Sequence, residues 1–177
     1  MRLFKTDRLQ LRLIVINDLE SIHKLHSLPE TDEFNTLGIP ESIDVTIDVI
    51  KPWIAEHTKK LIGQYTFAIE LIGTNQFVGL IALVLSNTKY NKAEVWYKLD
   101  SAYWGKGFAT EALSLILQFG FQELKLHRIE AGCAVNNVGS AKVIEKAGMT
   151  LEGVKRQVLP LKSGWSDAFS YAVLATD

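Results

Sequence analysis

The segment Leu99-Asp100-Ser101-Ala102-Tyr103-Trp104-Gly105-Lys106-Gly107-Phe108-Ala109-Thr110 has the residue types of an anion cradle. Glycine lets a backbone turn tightly and lets a ligand approach with no Cβ in the way. Beyond it, Ala109, Ala112, Leu113, Ile116, Leu117, Phe121 and Leu124 recur at helical spacing, so the loop opens a helix. The first N–H groups of a helix have no partner inside it and carry partial positive charge. A glycine turn leading into them binds phosphate or pyrophosphate. Lys106 could add a cation, although the same pattern also serves as a plain turn that starts a helix. Two other phosphate motifs fail on spacing. The P-loop sets its glycines further apart and follows them with Lys-Ser/Thr. The dinucleotide fingerprint needs a third glycine and an acid about 20 residues on. Gly105-Lys106-Gly107-Phe108-Ala109 fits neither.

The elements that must position this loop follow from the apolar pattern. Residues 8–15 read as a strand around Leu9, Leu11 and Leu13. Asn17-Asp18-Leu19-Glu20 reads as a capped helix start, and Pro29 stops the helix. A second helix is expected over about 43–61, broken or kinked at Pro52. Tyr65, Phe67, Ile69 and Leu71 alternate with Thr66, Ala68 and Glu70 in a strand, and Phe77 to Leu85 is apolar enough to be covered on both faces. Ala93 to Leu99 completes a meander, with Glu94, Trp96 and Lys98 on one face, where a Glu94–Lys98 pair is possible. After the long helix come a strand over His127 to Val135, a helix over about Val138 to Lys146, and two strands near 149–159 and 165–174. The order is β-α-α-β-β-β-α-β-α-β-β, an α/β chain with a mixed, seven-stranded sheet and helices on both faces.

Bulk properties narrow the partners. With 19 basic and 20 acidic residues the net charge is −1, and no Lys/Arg run is longer than a pair such as Lys59-Lys60. Nucleic acid and membrane surfaces usually demand a basic excess, so neither is expected. Residues 1–177 hold no low-complexity linker or repeat and are read as one domain. The start lacks the apolar run of a signal peptide, and no stretch reaches the ~20 apolar residues of a membrane span. A single cysteine, Cys133, fits a reducing compartment, so a cytoplasmic location is expected. Cys133 is in phase with Ile129, Ala131 and Val135 and reads as core packing rather than a nucleophile. His23, His26, His57 and His127 show no metal-ligand spacing, and no metal is expected.

Trp104-Gly105-Lys106-Gly107-Phe108-Ala109-Thr110-Glu111-Ala112 resembles the Gln/Arg-x-x-Gly-x-Gly/Ala signature of GNAT acetyltransferases, in the form seen in their RimJ/RimL group. Trp104 stands where that signature has Gln or Arg. Asn137-Val138-Gly139-Ser140-Ala141-Lys142-Val143-Ile144-Glu145-Lys146-Ala147-Gly148-Met149 resembles the group's second conserved segment. Thr6 to Arg12, Leu151 to Arg156 and Asp167 to Tyr171 are similar to its opening and closing strands. The resemblance spans almost the whole chain and implies the GNAT fold, mostly antiparallel, with acetyl-CoA as co-substrate.

The resemblance also assigns roles. The strand ending at Leu99 and the strand starting near Arg128 would splay apart, and backbone groups of Tyr97, Lys98 and Leu99 would pair with the pantetheine arm. Trp104, Gly105, Lys106, Gly107, Phe108, Ala109 and Thr110 would hold the pyrophosphate, with Lys142 or Lys146 meeting the adenosine-end phosphates. Both lysines read equally well as a solvated helix face. Asn137 would bond the pantetheine arm and Ser140 would lie near the thiol. Many members use a tyrosine in the second segment to protonate the thiolate; Ile144 stands there, which leaves Ser140 as the donor and Tyr171 as a fallback. Glu94 is the first candidate for general base. A carboxylate is expected in the strand after Glu152-Gly153, where Val158-Leu159-Pro160 stands instead, and this weakens a ribosomal N-terminal acceptor. The acceptor is an amine, on a protein N-terminus or on a small molecule such as a polyamine, amino acid or aminoglycoside. The protein would act as a monomer or homodimer, and a non-catalytic acyl-CoA-binding module is the remaining reading.

Overall fold

The computed structural model describes residues 4–177; the first three residues of the start read above lie outside it. Strands β1 (Phe4–Lys5), β2 (Leu9–Leu13), β3 (Gln64–Leu71), β4 (Phe77–Leu85), β5 (Lys92–Leu99), β6 (Arg128–Ala134), β7 (Thr150–Leu161) and β8 (Gly164–Leu174) form one sheet in the order β1-β2-β3-β4-β5-β6-β8-β7. Among the described residues the sheet has eight strands, not seven. The extra one is the two-residue β1, which pairs Phe4 with Leu11 and Lys5 with Gln10 and is too short to show a period. Every neighbouring pair is antiparallel except β5 and β6.

Helices α1 (Leu19–His26), α2 (Pro29–Asp32) and α3 (Ile43–Glu56) precede the meander; α4 (Phe108–Gln118) and α5 (Val138–Lys146) flank β6. The period-2 pattern of β3 sorts its side chains between two cores. Phe67 and Ile69 join the cluster under α4 and α5, with Leu113, Ile116 and Ile144. Ala68 joins the smaller cluster under α1 and α3, with Ile22, Leu25 and Ile50. Two local expectations need correction. Pro52 sits inside α3 without ending it, and the helix stops at Glu56 rather than near Leu61. Asn17, the expected capping side chain, lies inside a one-turn helix over Ile16–Asp18 that precedes α1; Asp18 closes that turn by accepting from the Val15 N–H, and also accepts from Arg12 Nη1 and Nη2 at 2.8 and 2.6 Å.

Gly79 fixes how closely β4 supports the end of β5. It pairs with Leu99, and a Cβ there would lie 2.3 Å from Lys98 O and 2.8 Å from Leu99 Cα. Both atoms are backbone, so neither can rotate away. Gly79→Ala is expected to destabilise the fold by about 1–3 kcal/mol, as overpacking does. The measurement is the urea midpoint at unchanged slope; an unshifted midpoint would mean that the end of β5 yields freely.

Candidate active site

β5 and β6 pair only over Lys92–Val95 and Arg128–Ala131. Beyond that, β5 stays on β4 up to Leu99, and β6 stays on β8 up to Ala134. The two strands therefore part, and from Trp96 onward β5 has no strand partner on its β6 side. A cavity of about 700 Å³ lies at this opening. Tyr97, Cys133 and Ser140 line it on the α5 face; His26, Trp53 and Trp96 line it on the face of α1 and α3. Alternation along β5 sends Tyr97 one way and Trp96 and Lys98 the other. One cavity thus passes through the sheet.

On the α5 face, Asn137 caps α5 by accepting from Ser140 N–H at 3.0 Å. The first turn of α5 then holds Ser140 against β5. Ser140 Oγ is 2.7 Å from the Tyr97 hydroxyl, which also donates to Ser140 O at 3.2 Å. Burial pushes the Tyr97 phenol above its ordinary value, against the opposing hydrogen bond from Ser140, so it keeps its proton. Burial likewise raises the Cys133 thiol, against its hydrogen bond with Ser140, and Cys133 belongs to the core cluster. Ile144 is buried in that core. Tyr171, the fallback donor, is not among the cavity-lining residues: its hydroxyl donates to Glu145 Oε1 at 3.1 Å, and burial followed by Glu145 raises it to about 12. The Tyr97 side chain was missed because alternation predicts its face but not which helix will meet it.

On the opposite face, Trp53 and Trp96 pack with ring centroids 5.3 Å apart, and the buried His26 meets Trp53 edge-on. Glu94 is exposed at the cavity and makes no hydrogen bond or ion pair among the described residues. The pair that alternation made possible between Glu94 and Lys98 does not form: Lys98 Nζ is buried without a hydrogen-bond partner among the described residues. Val158 and Leu159 line the cavity where a carboxylate was sought.

The glycine loop lies outside the cavity lining, on the surface. Asp100 starts it by accepting from Ala102 N–H, and the Trp104 indole N–H donates to Leu99 O at 2.9 Å, pinning the loop to the end of β5. Gly105 and Gly107 adopt φ of +73° and +81°. Gly107 is the N-cap of α4 and offers no side chain, which leaves the first-turn amides of Phe108, Ala109 and Thr110 open. Lys106 is committed to its own loop, donating to Ala102 O at 2.8 Å and lying over the Tyr103 ring. Arg8 also reaches Gly107, its guanidinium 3.5 Å from where a Cβ of residue 107 would lie. It pairs with Glu111, donates to Lys106 O, and stands 4.8 Å above the Phe108 ring. Nothing in the sequence signals this contact across 103 residues. Lys142 and Lys146 are exposed on α5 and make no ion pair among the described residues. No described helix is long and apolar enough to cross a membrane.

Comparison with known proteins bears on the family and the fold. The family profile described as "Acetyltransferase (GNAT) domain" matches residues 8–150. "Probable N-acetyltransferase YjcK" of Bacillus subtilis is 32% identical over 99% of this chain and 98% of its own. The ribosomal-protein-serine acetyltransferase of Escherichia coli is 23% identical over 94% of this chain and 93% of its own. A GNAT-family acetyltransferase from Bacillus anthracis superposes with a TM-score of 0.86 at 29% identity, covering 99% of this chain and all of the other. The protein belongs to the GNAT acetyltransferase family, is similar to its RimJ/RimL group, and is an acyl-CoA-dependent N-acetyltransferase.

Proposed function

We propose that residues 1–177 act as one catalytic domain that transfers acetyl from acetyl-CoA directly to a primary amine. The observation that carries this reading is the cavity lined from both faces of the sheet where β5 and β6 part. A thioester held there exposes its sulphur to Ser140 and its carbonyl to an amine from the other face. Backbone groups of Tyr97, Lys98 and Leu99 hold the pantetheine arm, with Asn137 beside it. The amides from Gly105 to Thr110 hold the pyrophosphate, with Lys142 or Lys146 near the adenosine end. The amine nitrogen bonds the carbonyl carbon, the C–S bond breaks, and Ser140 protonates the leaving sulphur. Alignment of the two reactants supplies a large part of the rate, and an N–H donor at the developing oxyanion supplies more.

A small cationic amine suits the acceptor side, where Trp53 and Trp96 offer ring faces and Glu94 an unpaired carboxylate. A protein N-terminus is the other acceptor the family resemblance supports. The test is CoA release from acetyl-CoA with spermine, free amino acids, an aminoglycoside and an alanyl-terminated peptide, each with and without EDTA. Turnover with at least one acceptor, indifferent to EDTA, is expected. Binding of acetyl-CoA with no CoA release on any of them would identify a non-catalytic module, and dependence on a divalent ion would refute the direct route.

A further inference from the structure

Among the described residues, two side-chain polar atoms are buried with no hydrogen-bond partner: Lys98 Nζ and Asp32 Oδ1. A buried charge with no partner is costly, and one that persists needs a reason. Lys98 is only 6% exposed, yet it belongs to the wall of the cavity through the sheet. It follows Tyr97 on the stretch of β5 that has left β6. Consecutive strand residues point to opposite faces, so these two side chains bracket the slot. Tyr97 stands with Ser140 where sulphur would leave. Lys98 stands on the face of His26, Trp53 and Trp96, where the amine would arrive.

Resting on the function proposed above, we propose that Lys98 is the general base of the transfer, taking a proton from the ammonium form of the acceptor. The neutral Lys98 amine becomes ammonium and the acceptor becomes a free amine. Its nitrogen bonds the carbonyl carbon as the C–S bond breaks. The second proton lost by nitrogen balances the one gained by sulphur, and Lys98 returns its own to solvent.

The surroundings suit this role. Burial lowers Lys98 to about 8, against the pull of Asp32 on α2, and a base works best with its pKa near the working pH. His26 on α1 does not compete for the proton, because burial, then Lys98 and His23, lower it to about 4. His23 is bonded to Thr46 on α3, and α3 otherwise presents the non-titrating Trp53. Glu130 on β6 is tied to Lys92 and Arg128. Lys155 on β7 lies at the cavity, and Glu94, on the same strand as Lys98, is exposed.

The sign follows directly. Below about 8 Lys98 is protonated and cannot accept, so kcat falls as pH falls through that value. The experiment measures kcat against pH with spermine and with an alanyl-terminated peptide. Both acceptors should show the same rising limb near 8 although their own amines differ in basicity. Lys98→Met and Lys98→Arg should each lower kcat by about 10²-fold or more and remove the limb, while acetyl-CoA affinity measured by calorimetry is kept. Arginine preserves the charge but does not release a proton. If the native protein turns over none of the four acceptor classes, the proposed function falls and the base with it; if only one of the others is turned over, the pH profile is measured with that acceptor. If it turns over but Lys98→Arg keeps more than about a tenth of kcat, or the limb persists in either variant, Lys98 alone is rejected. Loss of acetyl-CoA affinity in both variants would make Lys98 a cofactor-holding residue and equally overturn the proposal.

Discussion

Replacement of Gly107 by valine should abolish acetyl-CoA binding, leaving no measurable heat at concentrations that saturate the native protein. Gly107 is the N-cap of α4 with φ +81°, so its Cα lies at the mouth of the open amides. A side chain there would project over the surface that a pyrophosphate must touch. An added Cβ would sit 3.5 Å from the Arg8 guanidinium, an ordinary contact, so the protein itself has room for the first carbon of the new side chain. The left-handed conformation costs a non-glycine residue roughly 1–2 kcal/mol, and a β-branched one more. That alone does not unfold a domain of ordinary stability. Thermal unfolding separates the two effects: a folded variant with a modestly lowered Tm and no binding is the expected pair. A folded variant that binds near native affinity would reduce the loop to a turn.

Ser140→Ala should lower kcat by about 10- to 10²-fold with little change in acetyl-CoA affinity, since a proton donor to the leaving group matters mainly in the transition state. The 2.7 Å contact between Ser140 Oγ and the Tyr97 hydroxyl adds a second expectation. If Tyr97 acts by orienting Ser140, Tyr97→Phe lowers kcat in the native background and does nothing further once Ser140 is alanine. That non-additivity is the signature of coupled residues. Additive losses would mean that Tyr97 works independently, and a weakened affinity with unchanged kcat would make Ser140 a cofactor-positioning residue.

The parts of this arrangement legible in the sequence are those with a period or a local rule. Tyr65 to Leu71 alternates, and its two faces do enter two different cores. Glycines at 105 and 107 announced a turn that requires positive φ, and both have it. What escaped depends on distant partners. Asp18 binds Arg12 of β2, a partner that no local pattern shows. Lys106 looks like the loop's free cation, yet it folds back on Ala102, and Arg8 takes its place from the other end of the chain. Pro52 follows the rule for a break locally, but the helix carries on through it. Alternation allows Glu94 and Lys98 to pair, but one is exposed and the other buried along the cavity wall.

The parting of β5 and β6 leaves the sheet with an edge in its interior. Only four residue pairs join the β1–β5 half to the β6–β8 half through the ladder. A chain-like ligand seated in the gap, as proposed for the pantetheine arm, would complete that ladder as a removable strand. The native fold is then worth more when the gap is filled, by about 2.7 kcal/mol at a ligand concentration 100 times the dissociation constant. With the proposed acyl-CoA in that gap, resistance to unfolding, and through it to proteolysis, would become a running measure of how much acyl-CoA surrounds the protein.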